Sequence, residues 1–205
     1  MNEIVTREGV VIVIDDDASV RAALKELFES VGLKVKLYVS GSAFLEDRIP
    51  DATSCLVLDV RLPEMSGLNV QEQLARTNVH VPIVFVTGHG GIPMAVRAMK
   101  AGAVDFLTKP FRSQDLLDAV FTALEQDRTR RETQQLRSTL REHFESLSAR
   151  QREVIARVVA GDLNKEIAAE LGLSEGTVKV HRANAMRKMH AKRLADLVRL
   201  LERFK

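Results

Sequence analysis

The stretch VVIVIDDDASVR, Val10 to Arg21, joins five apolar residues to three consecutive acids. A short, almost wholly apolar run rich in Val and Ile is typical of a strand buried on both faces of a parallel sheet. A carboxylate at the end of a buried strand is costly unless something stabilises it, and neighbouring like charges add to that cost. The stretch therefore predicts a parallel sheet with a charged site at one edge.

The rest of the front half repeats this pattern of an apolar run followed by a segment with helical spacing. The further runs are KVKLYV (34–39), CLVLDV (55–60), VPIVFV (81–86) and AVDFLT (103–108). Five such units predict an α/β fold with a five-stranded, doubly wound parallel sheet. Only KVKLYV alternates between polar and apolar residues, which favours an edge strand.

Composition and charge divide the chain into two parts. Residues 1–125 hold 12 Lys and Arg against 17 Asp and Glu, whereas residues 126–205 hold 18 against 11. The acidic front and basic back suggest two tasks, and the basic part is a candidate for binding a polyanion. The single Cys55 allows no intramolecular disulfide, which fits a reducing, cytoplasmic location. The N-terminus has no signal-peptide pattern, and no apolar stretch approaches the ~20 residues of a membrane helix.

The predicted organisation is a first domain over 1–125, a helical linker over 126–145 and a small all-α domain of four helices over 146–205. No proline or glycine lies between Ser113 and Leu147, so the linker can continue the fifth helix. It carries a thin apolar stripe at Leu136, Leu140, Phe144 and Leu147. A solvated charged helix is favoured over a dimeric coiled coil, because the seam before this stripe is polar.

Polar residues follow the predicted strands where each one ends. They are Asp15 and Asp16, then Asp59, Thr87 and Lys109. Because the carboxyl ends of parallel strands meet at one edge, these groups should share a crevice. Clustered carboxylates favour a hard cation such as Mg²⁺, and a carboxylate is also a competent nucleophile toward phosphorus. Lysine and threonine can hold phosphoryl oxygens, so the set predicts phosphoryl transfer onto an aspartate.

The ordered motifs IDDD, LDVRLPEMSG, VTGHG and DFLTKPF resemble the receiver domain of two-component response regulators, over about residues 9–125. The resemblance implies the flavodoxin-like strand order 2-1-3-4-5. It implies that Asp59 is the phosphoacceptor and that Lys109 and Thr87 contact the phosphoryl group. The implied Mg²⁺ ligands are Asp15, Asp16, Asp59 and the backbone carbonyl of Arg61. Phe106 matches the switch aromatic, whose inward rotamer accompanies activation, and Lys109–Pro110 is a candidate cis peptide.

Several of these residues can also be explained by ordinary structural roles. Asp17 is better explained as the N-cap of the first helix than as a metal ligand. Phe106 could be ordinary core. His89 has no second His or Cys at ligand spacing, so it is expected to be a loop residue beside the site. The D-x-D within the opening acids also occurs in haloacid-dehalogenase-type phosphatases, but here Ala18 and Ser19 follow where that class has Gly-Thr.

The back half contains a helix–turn–helix pattern, NKEIAAELGLSEGTVKVHRANAMRKM (164–189). Gly172 and Leu173 form a short turn, and Ser174 can cap the next helix. Val178, Ala185 and Met189 are predicted to face inward and leave a basic outer face. A basic helix after a tight turn can lie in the major groove of DNA. The alternative is a helical dimerisation module with a solvated basic face.

Residues 146–205 resemble the C-terminal domain of LuxR/FixJ-type regulators. The implied DNA-binding residues are Asn164 and Lys165 on phosphate, with Ser174, Thr177, Lys179, Val180, Arg182, Ala183, Arg187 and Lys188 at or near the recognition helix. Two residues depart from the family pattern. Asp162 replaces an apolar residue before the first helix of the motif, and Arg193 replaces a common Ser cap of the last helix.

Together the resemblances imply a transcriptional regulator rather than an enzyme, one that catalyses only its own phosphorylation and dephosphorylation on Asp59. The implied partners are a sensor histidine kinase, a double-stranded DNA operator, RNA polymerase and a second copy of the chain. Phosphorylation would drive homodimerisation near IPMAVRAMKAGAVDF (92–106), and activation of transcription is favoured over repression. The alternative is a DNA-binding regulator with a receiver fold that works without phosphorylation.

Overall fold

The computed structural model describes residues 9–88 and 90–202. The chain divides into two compact units, Met1–Arg131 and Glu132–Lys205. His89, expected to be a loop residue, lies outside the described residues, as do the first eight residues and the last three.

The first unit is built on a five-stranded parallel sheet with the order β2-β1-β3-β4-β5. Its strands are β1 (Val10–Ile14), β2 (Lys34–Tyr38), β3 (Ser54–Leu58), β4 (Ile83–Thr87) and β5 (Asp105–Thr108). The central strand β3 is buried throughout, whereas the alternating strand β2 lies at an edge. The predicted fold class, strand order and edge strand are confirmed.

Helices cover both faces of this sheet. They are α1 (Ala18–Ser30), α2 (Gly41–Glu46), α3 (Gly67–Arg76), α4 (Ile92–Lys100) and α5 (Ser113–Glu145). One apolar layer contains Val11 and Val13 with Phe28 and Leu116, and the other contains Ile12 and Ile14 with residues of α2, α3 and α4. Alternate residues of β1 thus enter opposite layers, as the period of a strand requires.

Helix α5 has 33 residues and continues without interruption through the predicted linker. The prediction of a helical linker is confirmed, whereas its boundaries at 126 and 145 remain predictions. Within the apolar stripe, Leu140 and Leu147 are buried and Leu136 is exposed.

A buried ionic cluster lies where α5 leaves the sheet. The side chain of Asp127 is 1% exposed and accepts hydrogen bonds from the Ser54 N–H at 3.0 Å and from Arg131 Nε at 2.7 Å. Its second oxygen accepts from Arg130 at 2.6 Å, and Arg131 also reaches Asp51 at 3.0 Å. A buried carboxylate needs such partners to offset desolvation. The cluster fastens this part of α5 to the amino end of β3.

After α5, the described part of the second unit contains four helices, α6 (Ala149–Ala160), α7 (Asn164–Leu171), α8 (Glu175–Lys188) and α9 (Leu194–Glu202). Two small apolar clusters hold them together. One includes Leu147, Ile155 and Met189, and the other includes Val154, Ile167 and Val178. The predicted four-helix domain is confirmed.

At the two positions that depart from the family pattern, Asp162 and Arg193, nearby side chains pair with the variant residue or stabilise the helix start that follows. Asp162 lies 3.4 Å from Arg157 at the end of α6, and the N–H of Leu163 donates to Glu166 at the start of α7. At α9, the N–H of Arg193 donates to Asp196 at 2.9 Å. A carboxylate at the third helical position thus satisfies the helix start where the Ser cap is missing.

Within the described residues, no helix is both long enough and apolar enough to cross a bilayer.

Candidate functional site

Two buried acids lie side by side at the carboxyl edge of the sheet. Asp15 follows β1 and Asp59 follows β3, and they are 3% and 8% exposed. The strands are paired in register to their last residues, and the N–H of Asp59 donates to the Ile14 carbonyl at 2.9 Å. Sheet pairing therefore brings together carboxylates that are 44 positions apart in the sequence.

The ammonium of Lys109 bridges these acids. Its Nζ lies 2.7 Å from Asp15 Oδ2 and 3.0 Å from Asp59 Oδ2. Burial alone would lower the pKa of Lys109, but hydrogen bonds and charge from the two carboxylates outweigh it, so the pKa is raised above its usual value. The backbone N–H of Lys109 donates to the carbonyl of buried Thr87 at 2.8 Å. The Lys109–Pro110 bond is cis, as predicted.

Backbone groups fix the orientation of both carboxylates. The Arg61 N–H donates to Asp59 Oδ1 and the Asp17 N–H donates to Asp15 Oδ1, each at 2.9 Å. Gly67 permits the close packing of α3 here, because a Cβ at this position would clash with the backbone carbonyl oxygen of Asp59. The sequence reasoning missed Gly67, whose only signal was its place at the end of the LDVRLPEMSG motif.

The three opening acids have different environments. Asp15 is buried, whereas Asp16 and Asp17 are exposed. Asp17 caps α1 by accepting from the Ser19 N–H at 2.7 Å and from its hydroxyl at 2.6 Å. These hydrogen bonds from Ser19 hold the pKa of the Asp17 carboxyl below its ordinary value. The predicted capping role of Asp17 is confirmed.

The donor chemistry of the site fits Mg²⁺, because the oxygens of Asp15, Asp16 and Asp59 are hard ligands. Asp15 and Asp59 share one ammonium and so lie within reach of one cation. Across residues 9–88 and 90–202, however, no three side chains of metal-ligating types are gathered into a ready-made cage. Lys109 already lies between the two buried acids, and Asp16 is exposed.

The predicted switch aromatic lies beside this site on β5. Phe106 is half-buried and pairs in register with Phe85 of β4, with ring centroids 6.0 Å apart. Two residues further along these strands, Thr87 of β4 pairs with Thr108 of β5. The structure therefore places Phe106 on the strand that adjoins the strand of Thr87.

In the second unit, α7 and α8 form a helix–turn–helix. Gly172 ends α7 with a φ of 65°, a left-handed conformation that favours glycine, and Ser174 caps α8 by accepting from the Thr177 N–H at 3.1 Å. Val178, Ala185 and Met189 are buried, as predicted.

The predicted DNA-contact residues are unequally exposed. Exposed residues are Lys179, Val180, Ala183 and Arg187 on α8, its cap Ser174, and Lys165 on α7. Thr177, Asn164 and Arg182 are half-buried. Val180 is 58% exposed, which is high for an apolar side chain. Arg182 lies 3.5 Å from Asn164 and so links the outer sides of the two helices.

Lys188 makes hydrogen bonds within the second unit. Its ammonium donates to the Ser146 carbonyl at 2.6 Å and to Gln151 Oε1 at 3.2 Å. Gln151 belongs to the capping box that starts α6. In this structure Lys188 therefore ties α8 to the start of α6, and its contact with DNA stays a prediction.

Comparison with known sequence families gives two matches. Residues 11–121 match a family described as the response regulator receiver domain. Residues 145–201 match a family described as bacterial regulatory proteins, luxR family. Both matches coincide with the two resemblances found in the sequence.

Several known proteins are similar to this chain over nearly its whole length. Nodulation protein W of Bradyrhizobium diazoefficiens is 56% identical over 195 residues, which cover 95% of this chain and 86% of that protein. Transcriptional regulatory protein FixJ of Azorhizobium caulinodans is 43% identical, with 92% and 89% covered. The solved structure of response regulator StyR is 48% identical, with a TM-score of 0.89 over 95% of this chain and 98% of that one.

Proposed function

This chain belongs to the response regulators that join a receiver domain to a LuxR-type DNA-binding domain, and we propose that Asp59 is its phosphoacceptor. The family makes it a transcriptional regulator under phosphorylation control. Asp15 and Asp59 are held alike, each by the Lys109 ammonium on one oxygen and by a backbone N–H on the other. One observation selects Asp59 from the two: it is the aspartate of the motif LDVRLPEMSG, which lies within the matched receiver domain.

This arrangement suits nucleophilic attack on phosphorus. The Arg61 N–H fixes the Asp59 carboxylate, and Lys109 can hold an oxygen of the incoming phosphoryl group as a point charge. When bound, Mg²⁺ neutralises charge on the transferring group. Asp15, Asp16, Asp59 and the Arg61 carbonyl would hold it. Thr87, at the end of the neighbouring strand, would hydrogen-bond another phosphoryl oxygen. The phosphodonor is a sensor histidine kinase.

The phosphoryl group carries about −1.5 to −2 charge, and because it replaces the single charge of the Asp59 carboxylate, this edge of the sheet gains about −0.5 to −1. It would draw Thr87 and Lys109 toward the phosphoryl group and shift an existing equilibrium toward the active form, with Phe106 as the switch aromatic. The α4–β5 face is the proposed homodimer surface. Its apolar residues Ile92, Val96 and Met99 are 82%, 45% and 43% exposed.

The dimer would place two copies of α8 on a two-fold DNA site. Residues 146–205 carry 13 Lys and Arg against 7 Asp and Glu, which supports binding to a polyanion. The proposed contacts come from Asn164 and Lys165 of α7, from Ser174 and the outer residues of α8, and from Lys188 at the end of α8. In the cytoplasm, RNA polymerase would be the further partner, with activation as the outcome.

The phosphoacceptor assignment is tested with Mg²⁺ and acetyl phosphate. The wild-type chain should take up acid-labile phosphate close to stoichiometrically, and Asp59→Asn should take up none. Asp17→Asn is the matched control, because it changes an exposed acid of the same site and keeps a capping side chain. Stoichiometric uptake by Asp59→Asn would show that another residue is the acceptor.

The DNA-binding assignment is tested with an operator selected from random duplexes. Lys179→Ala should weaken binding and flatten its salt dependence, because it removes a cation from the exposed face of α8. Lys192→Ala removes an equally exposed cation outside α8 and should change little. Equal losses in both variants would contradict the recognition-helix assignment. Equal affinity with and without phosphodonor would favour the phosphorylation-independent regulator.

A further inference from the structure

Gly90 lies in the loop between β4 and α4, directly against the ring of Phe106. A Cβ placed on Gly90 would lie 2.7 Å from Phe106 Cε1 and 3.0 Å from Cζ. It would also lie 3.0 Å from the methyl group of Thr87. Carbon atoms pack at about 3.5–4.0 Å, so the Phe106 ring cannot stay where it is if residue 90 carries a side chain.

Gly90 differs from the two neighbouring glycines in the space around it. A Cβ on Gly88 would meet nothing within 4 Å, and one on Gly91 would meet only Pro93 Cδ at 3.6 Å. The steric demand for a residue without a side chain is therefore specific to position 90, and it comes first from the Phe106 ring.

The Phe106 ring lies between the proposed phosphoryl site and the proposed homodimer face, which phosphorylation has to connect. On one side is Thr87, at the end of β4 next to Lys109, whose N–H donates to the Thr87 carbonyl. On the other side Phe106 belongs to β5, which with α4 forms the proposed homodimer face. Gly90 also lies two residues before Ile92, where α4 begins. A side chain at position 90 would thus crowd both Thr87 and Phe106.

We propose that Gly90 is a positioning residue that keeps open the place of the Phe106 ring beside Thr87 and so couples phosphorylation of Asp59 to association through the α4–β5 face. This inference rests on the proposed function. The three atoms nearest to a Cβ at position 90 belong to the Phe106 ring, at 2.7 and 3.0 Å, and to the methyl group of Thr87, at 3.0 Å, and none belongs to Asp59 or Lys109. Phosphate uptake should therefore survive the change, while its effect on association is lost.

The experiment compares full-length wild type, Gly90→Ala and Gly91→Ala. Phosphate uptake from acetyl phosphate is measured, together with the dimer dissociation constant by analytical ultracentrifugation with and without phosphodonor. In Gly90→Ala, phosphate uptake should stay within about twofold of wild type. The ratio of the dimer dissociation constant without phosphodonor to that with phosphodonor should fall at least tenfold, toward one. Gly91→Ala should keep the wild-type ratio. A wild-type ratio in Gly90→Ala would overturn the inference.

A double-mutant cycle with Phe106→Ala tests whether Gly90 acts through the ring. Adding Gly90→Ala to Phe106→Ala should change the ratio no further; a second loss of equal size would overturn the inference. If Gly90→Ala fails to fold while the double variant takes up phosphate normally, the clash with the ring is confirmed. A wild-type chain that takes up no phosphate refutes the proposed function itself, and the inference with it.

Discussion

Removing the Asp127 carboxylate should destabilise the first unit, because the Ser54 N–H loses its side-chain acceptor and the guanidinium groups of Arg130 and Arg131 each lose a buried ion-pair partner. Asp127 is 1% exposed and accepts from Ser54, Arg130 and Arg131. Breaking a buried ion pair from one side costs about 3–5 kcal/mol. The Arg130 and Arg131 side chains are 34% and 28% exposed, so water can solvate them and offset part of this cost. We therefore expect Asp127→Ala to lower the free energy of unfolding by about 3 kcal/mol, the lower end of that range.

A milder substitution should have a smaller effect. Asp127→Asn keeps an oxygen for the Ser54 N–H but loses the charge, and we expect a loss of about 1–2 kcal/mol. Asp51→Asn is the control, since Asp51 is fully exposed although it also binds Arg131. Exposed ion pairs contribute little to stability.

Cys55 supplies the assay, because it is the only cysteine and is fully buried in β3. Burial, and secondly the charge of Asp127, raise the pKa of this thiol well above its usual value, so it reacts with a thiol reagent only after local opening. A loss of about 3 kcal/mol accelerates labelling about 150-fold, since each tenfold corresponds to about 1.4 kcal/mol. Asp127→Asn should accelerate labelling of Cys55 about 5- to 30-fold. Labelling of Asp127→Ala at the rate of Asp51→Asn would refute this reasoning.

Three further predictions concern Lys109 and two glycines. Because its folded pKa is raised, Lys109 contributes stability below its unfolded pKa of about 10.4 that disappears as the pH rises through the folded value. Urea midpoints of wild type should thus fall above about pH 10.4 more steeply than those of Lys109→Met. Gly67→Ala should cost about 1–3 kcal/mol and reduce phosphate uptake, because its Cβ clashes with the Asp59 carbonyl; an unchanged urea midpoint would contradict that clash. Gly176→Ala should stabilise the second unit by about 0.5–1 kcal/mol in urea titrations, because its Cβ meets only Ser174 Oγ at 3.7 Å; a lower midpoint would contradict this.

The sequence predicted the paired acids because topology alone determines their position. Parallel strands that end in Asp15 and Asp59 must bring them to one edge once the strands are neighbours. The helix starts were also predictable, because the caps at Asp17 and Ser174 depend on residues only two or three positions away. Patterns of this range can be read directly from sequence.

Contacts between distant residues were not predictable in the same way. The charged segment after Glu125 has the pattern of a solvated helix, yet Asp127 is buried through contact with Ser54, 73 residues earlier. Lys188 resembles its basic neighbours on α8, yet it binds the Ser146 carbonyl, 42 residues earlier. In each case a charged side chain finds a backbone partner that only the folded chain brings near, and periodicity carries no signal of this.

The central claim is that phosphorylation of Asp59 controls DNA binding. It is tested most directly by the dissociation constant of the full chain for a selected operator at fixed salt, with Mg²⁺ and with or without acetyl phosphate. We expect phosphodonor to tighten binding of wild type at least tenfold and to leave Asp59→Asn at the affinity of the untreated chain. An equal tightening of Asp59→Asn by acetyl phosphate would contradict the account.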